Sequence, residues 1–211
     1  MDIAPALFPG PDEADLDGCE DPTVIAAPDG LSVWYTGYNE QQKMGRLMLA
    51  RGASPNLLEK HGVVLESTDR FKNPKGATIV WADNGWRIFF EYARDDASLI
   101  GEARTGLLNG VWRDRSEGPI KPRKDKWDSW HLSPGPVIGE RSDTPVMFYN
   151  GATKDAQWRI TAYNDERNYP TRENAEKRKS LGPADVEIDN CRVHCFVFSC
   201  CQGGSHVPHR A

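Results

Sequence analysis

The sequence predicts an all-β chain built from repeated antiparallel meanders. Three observations lead there. Short β-rich runs alternate with tight-turn signals, helical periodicity is weak through the body, and one strand–turn–strand pattern recurs. The pattern starts at Asp21 as DPTVIAAPDGLSVWYTGY, at Lys75 as KGATIVWADNGWRIFFEY and at Pro134 as PGPVIGERSDTPVMFYNG. Aligned without a gap, it equates Val24 with Thr78 and Val137, and Ile25 with Ile79 and Ile138. The turns PDG, DNG and RSD fall together, and Asp-Gly and Asn-Gly between β-rich runs are strong hairpin signals.

A third strand closes each module, as GRLMLARG, SLIGEARTG and WRITAYN. The repeat is 54 residues from Asp21 to Lys75 and 59 from Lys75 to Pro134. A sandwich would place turns every ~8–12 residues with no long repeat, so propeller blades are the better reading. Equivalent positions on propeller blades line one central channel. The ungapped alignment makes Asp21, Lys75 and Pro134 one such set, and Gly37, Glu91 and Asn150 another. Their polar members are candidates for a shared site. The plain alternative is that each is an ordinary loop polar residue.

Composition narrows the function. The chain has 211 residues and a formal net charge of -5, with a pI near 5.6, which gives no electrostatic reason to expect nucleic acid. No apolar stretch approaches the ~18–20 residues of a membrane span. Residues 1–17 are rich in Pro, Gly and acids and read as a loop. They lack the basic start of a secretory leader, so a cytoplasmic location is the expectation. All seven Trp lie between Trp34 and Trp158, while four of the five Cys follow residue 190. That contrast separates a blade region, 18–165, from an atypical tail, 166–211. In the tail, TRENAEKRKSL reads as a helix with Thr171 as its N-cap. Cys191, Cys195, Cys200 and Cys201, with His194, His206 and His209, are zinc-donor types. They lack the spacing of paired Cys-x2-Cys sites, so no metal is assigned. An out-of-frame end and a strand with incidental Cys are the other readings of this stretch.

Three segments carry a resemblance. GCEDPTVI from Gly18, WDSWHLSPGPVI from Trp127 and PVMFYNGATKDAQWRI from Pro145 together resemble the five-bladed propeller enzymes of glycoside hydrolase family 130. These are β-mannoside phosphorylases and related β-mannosidases, and the resemblance covers about residues 18–163. It implies inverting cleavage of a β-mannosidic bond, with an acid protonating the leaving oxygen and a nucleophile attacking the opposite face. The family's general acid is the Asp of its Glu-Asp-Pro motif, which corresponds to Asp21. Adjacent Glu20 would hold the sugar or raise the Asp21 pKa, because two close carboxylates resist joint ionisation. No cofactor is implied. Inorganic phosphate is the co-substrate of the phosphorylases, and water takes its place in the hydrolases.

The chain departs from the phosphorylase pattern at three places. Where the family's phosphorylases carry His-Arg, this sequence has Glu91-Tyr92; where they carry Lys, it has His131; and their Tyr-His-Gly is Tyr149-Asn150-Gly151. Phosphate binding calls for charge-assisted donors. A carboxylate at Glu91 would repel phosphate but could activate water as a general base. Hydrolysis is therefore favoured, with Asp21 and Glu91 as the catalytic pair. Phosphorolysis is the alternative, through cations at Lys72, Lys75 or Arg94.

Glu20, Lys75, Tyr92, Asp128, His131 and Asn150 complete the expected substrate contacts. Asp128 has a plainer reading as a loop acid bonding local amides. Trp127 and Trp130 beside it offer stacking faces for sugar or ordinary packing, and a lone His such as His131 is often structural. The expected partner is a β-mannoside oligosaccharide, with neither nucleic acid nor membrane. Three modules fall short of a five-bladed ring, so the propeller is read as incomplete. Its open sheet edges imply closing strands from the tail, association of two chains as a homo-oligomer or, the favoured reading, a partial protein. The reading from a different class is a non-catalytic sugar-binding or truncated propeller.

Overall fold

A computed structural model describes residues 5–82, 85–138 and 145–164. Three antiparallel meanders appear where the repeat predicts them. The first sheet orders β1 (Gly18–Ala27), β2 (Gly30–Asn39), β3 (Met44–Gly52) and β4 (Glu59–Leu65). The second orders β5 (Lys72–Ala82), β6 (Gly85–Arg94), β7 (Ala97–Thr105) and β8 (Arg113–Glu117). The third orders β9 (His131–Ile138), β10 (Val146–Ala152) and β11 (Arg159–Asn164). The fourth strands β4 and β8 are not legible in the repeat. EKHGVVL and RDRSE are polar, partly exposed edge segments whose side chains carry little alternation. The tail helix and the Cys/His cluster fall outside the described residues. Among the described residues, no helix is long and apolar enough to cross a membrane.

Adjacent sheets pack face to face. Trp34, Leu47, Leu49 and Leu65 of the first sheet meet Ile79, Ile88, Phe90 and Tyr92 of the second in one buried cluster. Val80, Phe89 and Ile100 meet Leu132, Met147 and Tyr149 in the next. The second sheet thus buries both faces, which is why IVW and IFFEY are continuous apolar runs with little alternation. Close packing of β7 on β6 needs glycine. A Cβ on Gly101 would stand 2.5 Å from the Phe90 ring. The β6–β7 turn is made by Asp95 and Asp96, both at positive φ (52° and 61°), as a two-residue type I′ hairpin requires.

The hairpin register corrects the ungapped alignment by one residue. Ala27 lies opposite Gly30 and Ala82 opposite Gly85, so both hairpins have two-residue loops and Gly30 corresponds to Gly85. The true equivalents are Glu20 with Lys75, Asp21 with Gly76, and Thr36 with Glu91, not Asp21 with Lys75 or Gly37 with Glu91. Backbone geometry agrees, since Asp21 (φ 49°) and Gly76 (φ 55°) are both left-handed, each at a break in ladder register. The repeated cross-links between inner strands agree as well. The Thr23 hydroxyl donates to the Ala77 carbonyl, and its equivalent Thr78 donates to the Gly135 carbonyl at 2.8 Å. Equivalent bonds at equivalent levels mean that β1, β5 and β9 run in the same direction, with their first residues at one end.

A buried aspartate anchors two of the sheets. Asp15, in the short 3-10 turn Glu13–Asp15, is 0% exposed. Its Oδ2 accepts from the Tyr35 hydroxyl (2.8 Å), Lys60 Nζ (2.5 Å) and the Cys19 thiol (3.6 Å). A Cβ on Gly37 would stand 2.8 Å from the Asp15 Cβ. The third sheet repeats the arrangement. Asp128 is buried and accepts from the Tyr149 hydroxyl (2.8 Å) and from Arg123 Nε (2.8 and 3.0 Å), and a Cβ on Gly151 would stand 2.6 Å from its Cβ. Each aspartate stands three residues before its inner strand, facing a Tyr-x-Gly on the second strand. In the second sheet Phe90-x-Tyr92 replaces Tyr-x-Gly; Asp69 is exposed there and Phe71 fills the space against Tyr92 (ring centroids 4.9 Å). The N-terminal segment expected as a plain loop therefore carries a structural anchor.

Burial and the Asp15 carboxylate push the Cys19 thiol up to about 11. Native Cys19 should therefore react with iodoacetamide at pH 8 roughly two orders of magnitude more slowly than in urea-unfolded chain, where the ordinary value of about 8.5 applies. Mass spectrometry of the Cys19 peptide over time reads this, and equal rates in the two states would refute the assignment.

Candidate active site

The inner-strand starts gather four of the predicted residues. Asp21 and Glu20 sit on exposed β1, with Asp21 in the left-handed conformation of the β1 irregularity. That turn-out lifts the Asp21 carboxylate off the ladder, and the Thr36 hydroxyl approaches its Oδ2 at 3.4 Å. The same Thr36 oxygen accepts from the Gly76 amide of the neighbouring sheet (3.2 Å). Thr36 is therefore the link between Asp21 and the second sheet. Sequence reasoning missed it because the slipped alignment put Gly37 at this position.

Glu91 lies on β6 opposite Lys75 of β5. The two form an ion pair of 3.2 Å, with the Glu91 side chain 9% exposed and the Lys75 side chain 48% exposed. Burial works against the Lys75 ammonium, but Glu91 beside it, reinforced by Asp21 and Glu20, outweighs burial and raises its pKa. One cation thus senses all three carboxylates. Of the other candidate cations, Arg94 is engaged elsewhere. It bonds Glu117 at 2.7 Å and lies over the Tyr92 ring. Hydrogen bonds from Lys121 and Arg94 hold the Glu117 carboxyl down at about 2.

Two predicted contacts belong to the framework. Tyr92 is 1% exposed, packed edge-on against Phe71 inside the core, and burial raises its pKa. The resemblance implies a site role for Tyr92 because Glu91-Tyr92 stands where the phosphorylases carry His-Arg, yet adjacent strand residues point to opposite faces. Asp128 is the buried anchor described above, so its loop-acid reading is corrected too; its partners are side chains of Arg123 and Tyr149. Trp127 stacks on Tyr149 at 6.1 Å and joins the core.

The third sheet supplies the rest. Asn150 is half-buried on β10 opposite Ser133, at the position equivalent to Thr36 and Glu91 by the Tyr-x-Gly register. Thr36, Glu91 and Asn150 therefore form one set across the three sheets. His131 opens β9, and its Nδ1 accepts from the Ser98 amide at 3.1 Å, so the proton of the neutral ring lies on Nε2. Among the described residues, no group of three or more His, Cys, Asp or Glu side chains is placed to hold a metal ion.

The fold is that of the propeller-type glycoside hydrolases. The chain is similar to β-1,2-mannobiose phosphorylase from Listeria innocua, solved with β-1,2-mannobiose, at TM-score 0.64 and 19% identity over 76% of this chain and 44% of that one. A structure described among the family 130 glycoside hydrolases that target β-1,2 mannosidic linkages in Candida mannan gives TM-score 0.54 and 20% identity over 70% of this chain and 46% of that one. A family 117 glycoside hydrolase from Zobellia galactanivorans gives TM-score 0.58 and 12% identity, covering 77% and 57%. The chain thus spans about half the length of the structures it resembles. No family profile and no curated protein matches the sequence.

Proposed function

We propose that the chain carries the acid and the base of an inverting β-mannoside-cleaving site, with hydrolysis as the reaction. Asp21 is the general acid and Glu91 the general base, with Glu20 and Asn150 holding the sugar. The observation that carries this reading is the shared position of Thr36 and Glu91. Thr36 reaches Asp21 on the first sheet, and Glu91 occupies the equivalent place one sheet further round. An inverting mechanism needs two carboxyls ~6.5–9.5 Å apart with water between, and Asp21 and Glu91, which both act on Lys75, are the pair this reading assigns to it. Lys75 pairs with Glu91 at 3.2 Å and so fixes where its carboxylate stands.

The Lys75–Glu91 pair also favours a second reading. Lys75 offsets the carboxylate charge and is exposed enough to meet an anion, so phosphorolysis is the competing reaction. The test is product analysis after incubation with β-1,2-mannobiose, with and without inorganic phosphate. Mannose in both tubes is the expected result. Mannose 1-phosphate appearing only with phosphate would replace hydrolysis by the second reading, and absence of product would leave a sugar-binding propeller. Glu91→Gln should lower hydrolysis by ~10²–10⁴, the worth of a positioned base. A change of less than a few-fold would remove Glu91 from the chemistry.

A further inference from the structure

Trp158 is the observation to explain. It is 48% exposed and belongs to none of the three apolar clusters, although Trp has the largest apolar surface to bury. Its ring lies over His131, with centroids 5.5 Å apart and planes 31° from parallel. Next to it, Lys154 Nζ stands 4.7 Å from the centre of the Trp130 ring. Trp130 is fixed by its backbone amide on the Ala152 carbonyl (3.0 Å) and by its indole N–H on the Asp96 carbonyl (3.1 Å). His131 is fixed by the Ser98 amide. Two sheets therefore hold an aromatic shelf, Trp158 tilted on His131 and Lys154 over Trp130, of which Trp158 and Lys154 are the exposed members.

The shelf sits at the end of the sheets that carries Asp21 and Glu91. His131 opens β9 as Gly18 and Lys72 open β1 and β5, and Trp158 follows the end of β10 as Asp95 follows the end of β6. The other exposed Trp, Trp81, lies at the opposite tip of the second sheet and meets the partly buried Trp86 edge to face at 75°.

We propose that the Trp158–His131–Trp130–Lys154 shelf is a distal carbohydrate subsite, taking a pyranose ring beyond the two that flank the cleaved bond. The C–H face of the sugar stacks on the outer face of Trp158. Lys154, whose ammonium has three donors, bonds ring hydroxyls at the rim. The carbohydrate class rests on the proposed function. Trp158 and Lys154, the exposed members of the shelf and outside the proposed cleavage step, select chain length.

The test measures binding by the full chain carrying Asp21→Asn, titrated with β-1,2-linked mannobiose, mannotriose and mannotetraose by calorimetry. Affinity should rise about fivefold or more when a third or fourth sugar is added, the scale of one aromatic stacking contact. Adding Trp158→Ala should remove that increment and leave the disaccharide affinity unchanged, while Trp158→Phe keeps part of it. A chain-length increment that survives Trp158→Ala overturns the proposal, as does binding by the parent that is independent of length or absent. Failure of cleavage by the unmodified chain would instead sink the proposed reaction, because this titration scores binding alone.

Discussion

Asp21→Asn should abolish glycoside cleavage while leaving the fold intact. The substitution isolates chemistry from backbone. Asp21 is left-handed at φ 49°, a conformation that Asn tolerates and most residues do not. Asn also keeps an oxygen to accept from Thr36, so the link to Gly76 survives. What is lost is the proton. The expected fall in rate is ~10²–10⁴ or more, with thermal midpoint unchanged. Activity within a few-fold of the parent would take Asp21 out of the mechanism. Asp21→Ala is the poorer probe, because it adds backbone strain to the loss of the carboxyl.

The buried aspartates should show the largest effects on stability, in a definite order. Asp15→Ala removes the acceptor of Tyr35 and the charge partner of Lys60, whose ammonium keeps the Phe8 and Gly10 carbonyls, so it should cost about 3 kcal/mol, the lower end of the range for breaking a buried pair. The Lys60 side chain is 19% exposed and reaches little water. Asp128→Ala should cost less, about 2 kcal/mol, the scale of a lost charged hydrogen bond. Its partner Arg123 is 54% exposed and can rehydrate. Asp69→Ala, at the equivalent but exposed place in the second sheet, should stay within ~0.5 kcal/mol. Urea unfolding of the three variants with a common slope reads the order directly. Equal shifts for Asp69→Ala and Asp15→Ala would show that the anchor does not hold the sheets.

The repeat in the sequence located the three meanders, because two-residue turns between β-rich runs leave a local signal that needs no tertiary contact. The Glu-Asp-Pro stretch was likewise readable as a place of interest, since two acids ahead of a proline at a strand start are unusual. Gly37 and Gly151 were visible as letters in Tyr-x-Gly, and Asp15 and Asp128 each stand three residues before a strand. That pairing was present in the sequence, but only packing gives it meaning. The glycines matter because an aspartate from a preceding segment occupies the space of their missing Cβ.

Tertiary structure decided the register and, through it, the site. PDG and DNG look coincident as strings, but hydrogen bonding fixes where each hairpin turns. One residue of slip exchanged Thr36 for Gly37 in the set around the axis. It also decided which side of a strand a residue serves. Glu91 and Tyr92 are neighbours in sequence, yet one pairs with Lys75 and the other packs on Phe71, because successive side chains in a strand leave opposite faces. Asp128, expected as a sugar contact, is buried under the Tyr149 hydroxyl, and Trp127 took its packing reading by stacking on Tyr149, whereas Trp158 is on the surface. The sequence by itself determined the class of fold and the strand that bears Asp21. The companions of Asp21 were set by tertiary contacts, with Thr36 from the next strand 15 positions away and Lys75 from the neighbouring sheet 54 positions away.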